Sequence, residues 1–394
     1  KNKKFLSKIK FPVNDISEGV KMYKCPICGN DDQNLIGFRN NESYCRKCIK
    51  FSSQNNTLTK DRKINTDIQL NLKYPLSSFQ QDISNNLVKE IKKKDNLLVY
   101  AVCGAGKTEI IVQVIYEYLK KGDKVGIVIP RRDLVIELGK RIQDIFSNSK
   151  TTLVYGGHHQ DKEGDIVILT SHQAFRYVDY FDLLIVDEID AFPYKGDEVL
   201  KSLVLRASKG KIISLSATPS VQDLKDNHVF TLFKRYHNYP LPIPKIIIRM
   251  DFLLLLFLIH KVKKYLKENK YIFIYVSSIK EGHKLHKLLK KFFLNIFVYS
   301  SMKDKEKIMK EVREKKHHVI ITTTILERGV TYKNLQVFVY KANEYIFDKA
   351  TLIQIAGRVG RTIDSPTGDV YFLSTKLNIE MKEAVNEIKK YNDL

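Results

Sequence analysis

The stretch "LLVYAVCGAGKTEIIVQVIYEYLKK", residues 97–121, constrains the fold more than any other. Its first residues, Leu97 to Val102, are apolar and β-branched enough to form a short buried strand. A glycine-bearing turn follows, and after it apolar residues recur at helical spacing. Gly106, Lys107 and Thr108 form the second half of the pattern G-x-x-x-x-G-K-[ST], with Ala101 at the position of the first glycine. Strand, glycine turn, then helix is the frame this pattern requires. Backbone N–H groups along Gly104, Ala105, Gly106, Lys107 and Thr108 can point at phosphate oxygens where the helix begins. Lys107 can reach β- and γ-phosphates, and the Thr108 hydroxyl can bind Mg²⁺. The plain alternative is a turn that ends a strand. The frame on both sides favours a nucleotide site.

Downstream the chain alternates short apolar runs with helical stretches: "VGIVI", "DIVIL", "DLLIVDE" and "KIISLS". That rhythm predicts a parallel sheet covered by helices. "LLIVDEID" ends a strand in two carboxylates. Asp187 can bind Mg²⁺, directly or through water, and Glu188 can orient and deprotonate an attacking water. "SLSATPS" places Ser216, Ala217 and Thr218 at another strand end. "YHNYPLPIP", residues 236–244, reads as a linker. The rhythm then restarts in "YIFIYVSS", "VIITTTILERG", "LQVFVY" and "GDVYFLS", with no second phosphate loop. In its place stands "QIAGRVGR", whose Arg358 and Arg361 suit a γ-phosphate, with Gly357 and Gly360 allowing close approach. The expected fold class is α/β, with two tandem lobes at 61–240 and 241–394.

Charge is uneven. The formal net charge is +23; basic residues outnumber acidic ones 12 to 5 over 1–60, 26 to 23 over 61–240 and 29 to 16 over 241–394. Basic ends around a near-neutral middle suggest a polyanionic partner, against the alternative of a lysine-rich solvated surface. No segment reaches the ~18 apolar residues of a bilayer span. The most apolar run, "FLLLLFLI" after Asp251, reads as a buried helix start with Asp251 as N-cap; contact with a membrane surface is its other reading. With no secretory signal, the expectation is a cytoplasmic protein. The chain opens on Lys1, as a segment begun inside the gene or processed would.

Four of the five cysteines fall at Cys25, Cys28, Cys45 and Cys48, in the pattern C-x₂-C-x₁₆-C-x₂-C. Two such pairs match a four-thiolate zinc site, closed and therefore structural. Gly29 is placed to turn the first knuckle. Residues 1–60 are expected to be a small module held by Zn²⁺, and the basic side chains around the knuckles suit nucleic acid. Cys103, in the phosphate loop, is no zinc ligand.

In order, "FQQ" with Gln80, "AVCGAGKTE", "PRRDL", "LTSHQAFRY", "VDEIDAF", "SAT", "TTTILERGVT" and "QIAGRVGR" resemble the superfamily 2 helicases and translocases, which have two RecA-like lobes. With the four cysteines ahead of the first lobe, the chain is similar to the ComFA family of competence ATPases. That resemblance implies a cytosolic, DNA-stimulated ATPase that pulls incoming single-stranded DNA through an uptake channel. Its partners would be single-stranded DNA, the membrane DNA-uptake channel and other cytosolic competence proteins, with the protein peripheral at the inner face of the membrane. It also implies that ATP is contacted by Gln80 (adenine edge), Lys107, Thr108, Asp187, Glu188, Gly329, Arg358 and Arg361. Strand tracking would fall to Pro130 and Arg131, Thr170, Ser171, His172 and Gln173, Ser277 and Ser278, and Thr322, Thr323 and Thr324. Small hydroxyls and backbone N–H groups suit phosphates rather than bases, so little sequence preference is expected. The alternatives are a strand-separating repair or restart helicase similar to PriA, for which no wedge-like insertion is evident, and a zinc-dependent nucleic-acid adaptor with an inactive ATPase, against which Lys107, Glu188 and Arg361 speak.

Overall fold

The computed structural model describes residues 24–25, 30–39, 42–47, 67–157, 161–188, 197–299, 301–302, 305–323 and 332–394. At the front, strands β1 (Ile36–Arg39) and β2 (Glu42–Cys45) pair antiparallel, with Ile36 opposite Cys45. The remainder forms two α/β sheets. The chain separates into two compact units, one of Lys1–Pro75, Gln81–Val99 and Glu109–Phe230, the other of Leu76–Gln80, Tyr100–Thr108 and Thr231–Leu394. The phosphate loop thus belongs to the same unit as the C-terminal half of the chain.

The first sheet has the strand order β5-β6-β4-β7-β8-β3-β9. Its strands are β3 (Asn96–Ala101), β4 (Val125–Ile129), β5 (Thr151–Val154), β6 (Ile166–Thr170), β7 (Leu183–Asp187), β8 (Ile212–Ser216) and β9 (His228–Leu232). The β5/β6, β6/β4, β4/β7 and β7/β8 pairs are parallel. Every residue of β4, β6 and β8 is buried, as expected of parallel strands covered on both faces. Val128, Leu169, Phe181, Val186, Leu200 and Val204 form part of one core, in which Tyr177 stacks on Phe181.

The second sheet is parallel throughout, in the order β10-β15-β14-β11-β13-β12. Its strands are β10 (Lys245–Ile248), β11 (Tyr271–Val276), β12 (Ile296–Val298), β13 (Val319–Thr323), β14 (Leu335–Tyr340) and β15 (Val370–Ser374). The helix Asp251–Lys267 packs Leu254, Leu258 and Val262 with Ile274, Phe338 and Leu373. Two details of this helix correct the sequence reading. Met250, in extended backbone, is the N-cap, and Asp251 is the first helical residue, where its charge meets the positive end of the helix. The "FLLLLFLI" run is buried on one face only: Phe252 and Leu256 are exposed because the helix lies on the sheet rather than inside a bundle. No described helix is long and apolar enough to cross a membrane.

Candidate nucleotide site

In open α/β sheets, ligands bind beyond the carboxyl ends of the strands. The residues singled out in the sequence gather at such ends. β3 stops at Ala101, which is fully buried, so the methyl in place of the first glycine packs into the core. The chain then turns with the Ala105 N–H donating to the Val102 carbonyl at 3.2 Å. Gly104 and Gly106 have φ of +85° and +80°, a region open to glycine at no steric cost. The following helix, Lys107–Leu119, buries Ile110, Ile111, Val114 and Ile115, which anchors its N-terminus under the loop. Lys107 Nζ donates to the Ala101 carbonyl at 3.1 Å. Gln80 is buried and braces the loop: its Nε2 donates to the Ala105 carbonyl at 2.8 Å while its Oε1 accepts from the Ser77 N–H at 2.9 Å.

The "GRVGR" turn meets this loop. It follows the helix Lys349–Ala356. A Cβ on Gly357 would lie 2.5 Å from Cys103 Cβ, so only glycine permits the approach. Gly360 has φ +69°, and a Cβ there would lie 2.1 Å from the Pro366 carbonyl oxygen. Arg358 is buried, and Arg361 Nε donates to the Gly357 carbonyl at 2.9 Å. Arg235, just past β9, was not singled out in the sequence. It is 3% exposed and donates from Nη1 to the Gly360 carbonyl at 2.7 Å. Its neighbours clasp the same turn: the Tyr236 hydroxyl donates to the Arg361 carbonyl at 3.1 Å, and His237 Nε2 lies 2.9 Å from the Gly360 carbonyl.

Cations therefore converge on one place. Burial pushes the Cys103 thiol up, but Lys107, Arg361, Arg358 and Arg235 together hold it below its ordinary range. Burial, then the neighbouring Arg358, brings Arg361 down to about 10. Burial, then Arg361, does the same to Arg235, also about 10. Arg361 and Arg235 both stay cationic at neutral pH. Such a cluster fits an anion with several oxygens.

In the other unit, Asp187 is the last residue of β7. Glu188 follows with φ +56°, a left-handed conformation that costs a non-glycine residue ~1–2 kcal/mol. The Asp187 carboxylate in this unit, and the Thr108 hydroxyl in the unit of the loop, are each the kind of oxygen donor a hard cation takes. Ser216 is buried, its hydroxyl accepting from the Thr218 N–H at 3.0 Å. Gly329 and Thr324 lie outside the described residues.

The residues assigned to strand tracking differ in their placement. Pro130 follows β4, and Arg131 caps the helix Arg132–Ile145. Thr170 ends β6; Ser171 is fully buried, while His172 is exposed. Ser277 is half-buried after β11, and the Ser278 hydroxyl accepts from the Glu281 N–H at 3.2 Å as the cap of the helix Ile279–Leu289. Thr322 and Thr323 are buried at the end of β13. Of the four cysteines at the front, Cys28 and Cys48 lie outside the described residues, as does Gly29. Cys25 and Cys45 are both buried, and the Cys25 N–H donates to the Asn30 carbonyl at 2.7 Å. Among the described residues no group of three or more His, Cys, Asp or Glu side chains is arranged to hold a metal.

Comparison with known proteins agrees with this geometry. Residues 73–221 match the family "Type III restriction enzyme, res subunit", and residues 257–362 match "Helicase conserved C-terminal domain". The S. cerevisiae Dbp5 structure bound to RNA and ADP BeF3 superposes with a TM-score of 0.58 at 16% identity, covering 80% of this chain and 92% of that one. That likeness shows the fold: two RecA-like helicase lobes. Competence protein ComFA of Streptococcus pneumoniae is 36% identical over 370 residues, covering 89% of this chain and 85% of its own length. Competence protein ComFA of Bacillus subtilis is 34% identical over 410 residues, covering 97% and 88%. At that identity and coverage, the chain belongs to the ComFA family, with the lobes of a superfamily 2 helicase.

Proposed function

We propose that this helicase-type ATPase is a single-stranded DNA translocase that drives import of transforming DNA during competence. The observation that carries the reading is the convergence of Lys107, Arg358 and Arg361 on the phosphate loop, with glycines at 357 and 360 making the approach possible. Lys107 would hold the β- and γ-phosphates and Gln80 the adenine edge, with Gly329 beside the nucleotide. Glu188 would take the proton from the attacking water. Arg358 and Arg361 would stabilise charge on the transferred phosphoryl group. Thr108 and Asp187 would hold Mg²⁺, which when bound neutralises charge on the phosphate oxygens. Lobes at 61–240 and 241–394 would close and open with each ATP, moving along phosphates through Arg131, His172, Ser277 and the backbone near Thr170, Ser171, Thr322 and Thr323.

The front module, residues 1–60, would hold one structural Zn²⁺ through Cys25, Cys28, Cys45 and Cys48. The burial of Cys25 and Cys45 supports that donor set. The names of the two relatives support the competence role, which implies a cytoplasmic protein working at the inner face of the membrane with the uptake channel and other competence proteins. ATP turnover measured with no polymer, single-stranded DNA, duplex DNA and RNA tests the reading. Single-stranded DNA should stimulate most. Equal turnover with and without it, or stimulation by RNA alone, would contradict it.

A further inference from the structure

We propose that Arg235 is a third arginine of the nucleotide site, gripping the terminal phosphate of a nucleoside triphosphate from the segment that follows β9. This rests on the nucleotide reading of the loop. Arg235 is almost wholly buried, yet among the described residues only Nη1 is spent, on the Gly360 carbonyl at 2.7 Å; Nε and Nη2 have no hydrogen-bond partner there. No carboxylate of the described residues pairs with it. The groups it feels are Arg361, Cys103 and Tyr236. A buried guanidinium with unspent donors and no carboxylate partner among the described residues is costly, and the expense is offset when an anion takes those donors. The place is where a phosphate would come: Arg235 Cγ and Nε lie 3.8 Å from where a Cβ on Gly104 would stand, against the backbone whose N–H groups form the cradle.

Arg358 shows the same signature on the same spot, buried with Nη1 unpartnered. Among the cations around Cys103, Lys107 acts most strongly. The arginines therefore share the surroundings of Cys103 with the lysine that contacts β- and γ-phosphates. Arg235 has a further property that Arg358 and Arg361 lack. It precedes the linker 236–244, and the backbone next to it is tied to the loop by the Tyr236 N–H to Gly104 carbonyl bond. A triphosphate held by Arg235 would be felt directly at the start of the linker, which couples the state of the nucleotide to the segment joining the two halves of the chain.

The test compares the affinity of the full chain for AMP-PNP and for ADP, each with Mg²⁺, by calorimetry. The variants are Arg235→Gln, Arg235→Lys and Tyr236→Phe, with melting curves alongside. Arg235→Gln should weaken AMP-PNP about tenfold or more while ADP stays within about twofold. Arg235→Lys should fall between, because an ammonium keeps the charge without the fork. Tyr236→Phe removes a different contact on the same turn and should leave the AMP-PNP to ADP ratio unchanged. Equal losses for both nucleotides in Arg235→Gln, or none, would reduce Arg235 to a brace for the turn and overturn the assignment. So would a ratio shift in Tyr236→Phe as large as in Arg235→Gln. If Arg235→Gln does not fold, the ratio in Arg235→Lys decides: a fall of about threefold or more supports the assignment, and an unchanged ratio overturns it. A parent protein that binds neither nucleotide would overturn the nucleotide reading as well, whereas a parent that binds both while the variants match it would overturn only the role of Arg235.

Discussion

Cys103 reports on the charge of the site it sits in. Burial alone would raise its thiol, yet four cations pull it down, so a larger thiolate fraction exists near neutral pH than for an ordinary cysteine. Iodoacetamide should therefore modify Cys103 with a rate that levels off at a lower pH than a free thiol shows, followed by peptide mass spectrometry. Added ATP should slow the reaction. A pH profile like that of free cysteine would contradict the electrostatics described here. Gly360 tests the turn itself. Gly360→Ala forces a Cβ to 2.1 Å from the Pro366 carbonyl at φ +69°, so it should lose ~1–3 kcal/mol of stability and most ATP turnover. Residues of this kind differ in how far sequence shows them. Lys107, Thr108, Asp187 and the GRVGR arginines stand out in the sequence because each belongs to a local pattern. Arg235 is not, because "FKRYH" has no local signature and its role depends on a turn 125 residues away. The left-handed backbone of Glu188 is likewise a tertiary outcome.

Elements show the same division. The buried parallel strands were readable as continuous apolar runs bounded by turns: "VGIVI", "YIFIYV" and "LQVFVY" appear as β4, β11 and β14. The β1/β2 hairpin, and the edge strands β9 and β10, were not readable. They are short and only partly buried, so no periodicity marks them. The start of the helix at Asp251 was misplaced by one residue, since backbone geometry rather than side-chain type makes Met250 the cap. The helix Ile279–Leu289 offers a test of packing against propensity. Replacing a mid-helix glycine by alanine normally gains ~1 kcal/mol. At Gly282 the new Cβ would lie 2.1 Å from the Phe297 ring, and overpacking costs ~1–3 kcal/mol. Gly282→Ala should therefore lower the melting temperature by several degrees, whereas a rise would show that the strand and helix are less tightly apposed than described.

At the scale of the whole molecule, a net charge of +23 and phosphate-directed contacts predict that affinity for single-stranded DNA falls steeply with salt and varies little with sequence. Titrations of labelled oligonucleotides of different sequence at several salt concentrations check this. Metal analysis of protein purified without chelator should find one zinc per chain, lost with Cys28→Ser while the two sheets stay folded on their own cores. The family's arrangement of two lobes was legible from the order of its motifs; the clustering of the phosphate loop with the C-terminal half was not, because it follows from contacts far apart in sequence. That clustering makes the central claim testable: the GRVGR turn completes the ATP site that the loop begins. The most direct measurement is ATP affinity together with single-stranded-DNA-stimulated hydrolysis in Lys107→Ala, Glu188→Gln and Arg361→Ala. Lys107→Ala should weaken binding. Arg361→Ala should resemble Glu188→Gln, binding ATP but hydrolysing it ~10³-fold or more slowly. Hydrolysis by Arg361→Ala at the parent rate would contradict the account.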